Sequence, residues 1–166
     1  MARHNPASSI ALGGILAALA VVIQCMGTMI PVATFVCPML CMLLLKVVLI
    51  RCGGRIGWAW YGAVAVLGAL LAPDKEAAAV FVFLGFYPII KPKMEALPGK
   101  WLWKVLYFNA AILIMYGLLM HVFGIAQIAD EFAELGTAMT VVTLLLGNVT
   151  FFLLDRLLGK KLRRRR

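Results

Sequence analysis

Apolar residues along this chain fall into long runs, and short charged or proline-bearing clusters separate them. A helix needs about 20 consecutive apolar residues to cross the hydrocarbon core of a bilayer. The runs predict six such helices, over 8–30, 31–50, 56–72, 75–91, 101–123 and 137–158. They imply an all-α polytopic membrane protein with one domain over 1–166. The first run continues through Gln24, Cys25, Met26, Gly27 and Thr28 into more apolar chain, without the short core and cleavage site of a signal peptide, so it is read as retained. The second begins at Pro31 and is expected to be interrupted by Pro38, with Lys46 placed to snorkel from one turn inside its basic end. An acidic loop is expected over 124–136, between the fifth and sixth spans.

The fourth run differs from the others. It opens on Asp74, Lys75 and Glu76, carries Phe81, Phe83 and Phe86, and closes on Tyr87-Pro88 with Lys91 and Lys93 beyond. Its uncharged part, 77–90, rises only about 21 Å as a helix, against about 30 Å of hydrocarbon. Snorkelling by Lys75, Lys91 and Lys93 and a helix break at Pro88 would reconcile the two, with one end lining protein or water rather than lipid. Short, proline-interrupted segments of this kind mark binding sites in transporters. A short helix tucked among longer ones reads the same way.

Composition agrees with the pattern. With 64% hydrophobic and 14% charged residues and a mean hydropathy of +0.99, there is too little polar surface to cover a soluble globule. The net charge of +9 does not indicate nucleic acid, because the basic residues follow membrane topology. With the N-terminus inside, the segments 1–7, 51–55, 91–104 and 155–166, together with Lys46, hold every lysine and arginine except Lys75. Asp74, Glu76, Asp130, Glu131 and Glu134 fall on the other side. The positive-inside rule then puts both termini in the cytoplasm and the chain in the cell membrane. Trp58, Trp60, Trp101 and Trp103 fall at the inner interface, where amphipathic rings settle. The arginine tail, 163–166, is suited to anionic membrane lipid.

Candidate chemistry is sparse. No paired carboxylates within the membrane, no metal-binding His-x-Glu pattern and no phosphate-binding glycine loop are present, so no catalytic residue, metal site or cofactor is assigned and the chain is not read as an enzyme. Polar groups within spans need partners or water. Asn109 and Asn148 suit helix-to-helix hydrogen bonding. The outer-half groups Tyr116, His121 and Thr140, with Asp74, Lys75 and Glu76 at the mouth and Phe81 and Phe83 as walls, suit a small-molecule pocket. Ordinary membrane packing uses the same residues. Cys37 and Cys41 share a helix face near Cys25, Met26, Met29, Met39 and Met42, a set able to hold a soft metal or simply to fill gaps.

Small residues recur at four-residue spacing in the first span: Ala7 and Ala11, Gly13 and Ala17, Gly14 and Ala18. In lipid such faces let backbones approach closely. Together with six spans and cytoplasmic termini, the segment SSIALGGILAALAVVIQ resembles the first helix of the S components of energy-coupling factor (ECF) transporters. The resemblance covers the topology of nearly the whole chain. It implies a vitamin-like substrate bound near the outer surface and no ATPase in this chain. It also implies docking of the first helix on a coupling protein driven by two ATPase subunits. Ala7 and Ala11 match the docking motif literally, and Gly14 and Ala18 match it loosely. Two other readings stand beside it. One is a structural protein resembling the small rod-shape-determining membrane family, and the other is a soft-metal permease using Cys37 and Cys41.

Overall fold

The computed structural model describes the backbone over 6–26, 33–121 and 126–159, and side chains over 7–26, 35–119, 141–142 and 144–159. Every regular element among these residues is helical: α1 (Pro6–Cys25), α2 (Ala33–Cys52), α3 (Gly54–Leu71), α4 (Lys75–Leu84), α5 (Tyr87–Glu95), α6 (Lys100–His121) and α7 (Ala126–Gly159). Five stretches among the described residues are long and apolar enough to cross a membrane: Ala7–Cys25, Phe35–Cys52, Gly54–Leu71, Lys75–Glu95 and Lys100–Leu119. The chain is an all-α polytopic membrane protein. Ile10, Ile15, Leu19 and Val22 of α1 and Leu67, Leu70 and Leu71 of α3 are exposed although apolar, as helices bathed in lipid require.

The chain folds as two compact units, Met1–Ala96 and Leu97–Arg166. In the first, α1 to α5 enclose a core of Ala20, Cys41, Leu45, Val48, Trp60, Val64 and Phe81. Side chains of α2 and α3 reach the α1 backbone: Trp60 Nε1 donates to the Gly13 carbonyl at 3.1 Å, Cys52 Sγ to Ser9 at 3.2 Å, and Cys41 Sγ to Ala20 at 3.4 Å. Small residues on that face leave these carbonyls accessible. Trp60 is therefore a core residue rather than an interfacial anchor.

Three boundaries depart from expectation. Pro38 does not interrupt α2, which runs through it. Placed in the second turn, it removes a single backbone hydrogen bond, which the remaining helix tolerates. A lone residue, Gly53, joins α2 to α3 at φ 89 and ψ 172, a conformation open to glycine alone. The expected loop over 124–136 is helical from Ala126 onward as the first turns of α7. Alanine, glutamate, glutamine and leucine favour helix, and Ile128, Phe132 and Leu135 recur at helical spacing; acidic charge alone does not stop a helix, and α7 runs on through Gly136.

In the second unit, α6 packs along α7. Phe108 stacks on Phe151 at 4.9 Å, and a Cβ at Gly147 would lie 3.2 Å from the Phe108 ring, so glycine permits the close approach. The expected sixth span, 137–158, lies within α7.

Candidate functional site

The fourth span is broken, as expected, but not at Pro88. The break falls at Gly85 and Phe86, and α5 starts at Tyr87 with Pro88 in its first turn. A proline ring clashes with the carbonyl four residues earlier, here that of Leu84, so the helix must give way before the proline and can restart with it. In a continuous helix the Val82 carbonyl would accept from the Phe86 amide. Here the Tyr61 hydroxyl of α3 donates to Val82 instead. A neighbouring helix thus re-satisfies a carbonyl at the break.

Aromatic rings surround this point. Trp58 stacks on Phe86 at 6.4 Å, Tyr61 meets Phe86 edge-on at 5.8 Å, and Tyr61 lies 5.8 Å from Phe81. Of the five candidate spans this one is the most deeply covered by the protein, matching the expectation that part of it avoids lipid. Lys91, expected to snorkel, is instead buried and lies 3.4 Å from Glu95; Lys93 is exposed.

The charged triplet has structural work. Asp74 caps α4, its Oδ1 accepting from the Ala77 amide at 2.9 Å. Lys75 Nζ donates to the carbonyls of Ala69 at 3.0 Å and Leu70 at 3.5 Å, closing the last turn of α3, where a cation suits the helix dipole. Glu76 is half-buried in the first turn of α4. Phe81 is fully buried in the first unit's core, and Phe83 is half-buried. Tyr116, half-buried, belongs to the second unit. The backbones of His121 and Thr140 belong to α6 and α7, and their side chains lie outside the described residues.

Gln24 of α1 is wholly buried, with neither Nε2 nor Oε1 in a hydrogen bond among the described residues. Its amide presses on Gly68 of α3, where any Cβ would collide with Oε1. The Cys41 thiol lies beside the amide without hydrogen-bond geometry. Cys37 and Cys41 are both buried, and no group of three or more His, Cys, Asp or Glu gathers among the described residues.

The second unit carries a polar ladder. Lys104 Nζ donates to Asp155 Oδ2 at 2.8 Å with both side chains buried. Farther along, Asn109 and Asn148 exchange amide hydrogen bonds at 3.1 and 3.2 Å, the helix-to-helix bonding expected of them. A cavity of about 400 Å³ opens beside the ladder, lined chiefly by Trp101, Val105, Val149, Phe152 and Leu153. Reading the chain alone put Lys104 and Asp155 in basic flanks and missed their pairing. The available signal was a lone carboxylate among the basic residues of the chain's end, and 51 residues separate it from its partner.

On α1, the two small-residue faces have different fates. Gly13 and Ala20 are buried, whereas Ala7, Ala11, Gly14 and Ala18 are exposed, and a Cβ at Gly14 would meet nothing within 4 Å. No family model, curated protein or solved structure matches this chain. What the chain offers is thus an exposed stripe of small residues on α1, a broken and covered fourth span, and a polar ladder between α6 and α7.

Proposed function

We propose that the chain is the substrate-capturing membrane subunit of a micronutrient importer, of the kind found as S components of ECF transporters. It sits in the cell membrane with both termini in the cytoplasm and takes a small, vitamin-like molecule from outside. Asp74, Lys75 and Glu76 lie on that outer side. Uptake then requires docking of α1 on a separate coupling protein driven by two ATPase subunits.

The supporting observation is the exposed stripe of Ala7, Ala11, Gly14 and Ala18, which the chain leaves uncovered while it uses the neighbouring Gly13 and Ala20 for its own packing. In lipid, association of helices depends on close backbone approach, and small residues four apart supply it. The test separates binding from transport. Ala11→Trp or Gly14→Trp is expected to spare folding and ligand binding, because neither site is packed inside the chain, while abolishing uptake and co-purification of the coupling protein. Equal loss of binding and uptake would refute the docking role, and recovery of cell-envelope machinery in place of ATPases would favour a scaffold. A thermal-shift screen against vitamins, amino-acid derivatives and metal ions identifies the ligand, since a hundredfold excess over Kd stabilises by about 2.7 kcal/mol.

A further inference from the structure

The cavity between α6 and α7 is lined by residues of the second unit alone. Its walls are almost wholly apolar, and Trp101, Val105, Val149 and Leu153 are about half exposed along it. A water-soluble ligand would find few free polar groups there. Lys104, Asp155 and Asn148 also line it, but Lys104 and Asp155 are paired with each other and Asn148 with Asn109. One end of the groove is cationic. The Arg156 guanidinium lies 5.2 Å from the Phe152 ring centroid, Trp101 stacks on Phe152 at 4.8 Å, and Lys100 precedes Trp101 at the start of α6. Beyond the last described residue of α7 the sequence continues through Lys160, Lys161 and Arg163–Arg166. An apolar trough flanked by Lys100 and Arg156, neither of them in an ion pair among the described residues, complements one class of molecule, a hydrocarbon chain ending in an anion.

We propose that this groove binds one anionic phospholipid, with an acyl chain along Trp101, Val105, Val149 and Leu153 and the phosphate held by Arg156. The guanidinium fork matches phosphate oxygens, and its exposed position leaves it at the headgroup level while the chain lies among the walls. The site is independent of the importer reading and would hold for any function of the chain.

The test is native mass spectrometry of the full-length protein in detergent, titrated with phosphatidylglycerol, with phosphatidylcholine of the same acyl chains, and with glycerol phosphate. One phosphatidylglycerol is expected to bind in clear preference to phosphatidylcholine, with glycerol phosphate failing to compete. Arg156→Gln is expected to reduce the preference roughly fivefold, the worth of one basic contact at a membrane surface. Val149→Trp fills the trough and is expected to weaken both lipids; the unfolding temperature of each variant checks its fold. Replacing Arg163–Arg166 with Gln is expected to leave the single bound lipid in place. The proposal is overturned if the two lipids bind alike, if glycerol phosphate competes, or if Arg156→Gln and Val149→Trp both leave binding unchanged. Loss of preference in the tail variant alone, or an acidic protein segment held there in place of lipid, would overturn it equally.

Discussion

Removing Asp155 should take from a buried ammonium its counter-ion, and the size of the loss follows from the geometry. At 2.8 Å and an effective dielectric of about 20, the direct attraction between Lys104 and Asp155 is about 6 kcal/mol. Desolvating the two ions costs several kcal/mol each, which offsets most of it. Asp155→Ala is therefore expected to destabilise by about 3–5 kcal/mol, chiefly because a buried charge loses its counter-ion, with the Trp101 ring 5.1 Å away giving only part of the compensation. Lys104 lies early in α6 and has a four-carbon stem able to swing toward an interface, so the loss should fall at the low end. Lys104→Met takes the ammonium from the buried carboxylate, whose short stem cannot swing, and should cost more. The double replacement Lys104→Met with Asp155→Leu restores a matched apolar pair and should lie within about 1 kcal/mol of the native protein. The assay is reversible unfolding by dodecyl sulfate in mixed micelles, followed by circular dichroism for the four proteins of the cycle. Single losses below about 0.5 kcal/mol, typical of a solvated pair, would refute the reasoning, as would a double-mutant loss equal to the sum of the singles.

Three further outcomes are expected. Gly53→Ala forces a side chain into φ 89, ψ 172 at the one-residue link between α2 and α3, and should cost about 1–3 kcal/mol in the same unfolding assay; no change would mean that the link relaxes freely. Gly85→Ala drives a Cβ against the Phe81 carbonyl and ring, so hydrogen exchange at the amides of 85–90 should speed up, and unaltered exchange would argue against a tightly packed break. Gln24→Met keeps the shape of the side chain and removes an amide that has no hydrogen-bond partner among the described residues, so stability should rise by about 1–2 kcal/mol; a fall would show that the amide is held by interactions of its own.

What could be read from the residues and what could not divide along a physical line. Membrane residence, helical class and nearly every span follow from apolar run length, because a bilayer imposes one thickness on every helix and hydrophobicity is a local property. The break in the fourth span was legible to within a few residues for the same reason, since a proline acts on its own turn. Pro38 leaves α2 whole because a proline early in a helix forfeits one hydrogen bond rather than the helix, and 126–136 is helix because helix propensity outweighs acidic charge there. The small-residue stripes on α1 were visible as spacing. Their roles were not: Gly13 and Gly14 are neighbours of identical type, and only the arrival of α3, with Ile56 and Trp60, buries one and leaves the other exposed.

Pairings between distant residues were beyond reach of the sequence. Lys104 with Asp155, Tyr61 with the Val82 carbonyl and Gln24 against Gly68 each join separate helices. Nothing in either residue's own neighbourhood specifies its partner. The sequence by itself determined that this protein lies in a membrane as a set of apolar helices, since the cost of exposing backbone and charge to hydrocarbon is settled residue by residue. Which polar groups meet, which are stranded and which faces stay open was decided only by tertiary packing, because those energies depend on distance between chain segments that sequence separation does not constrain.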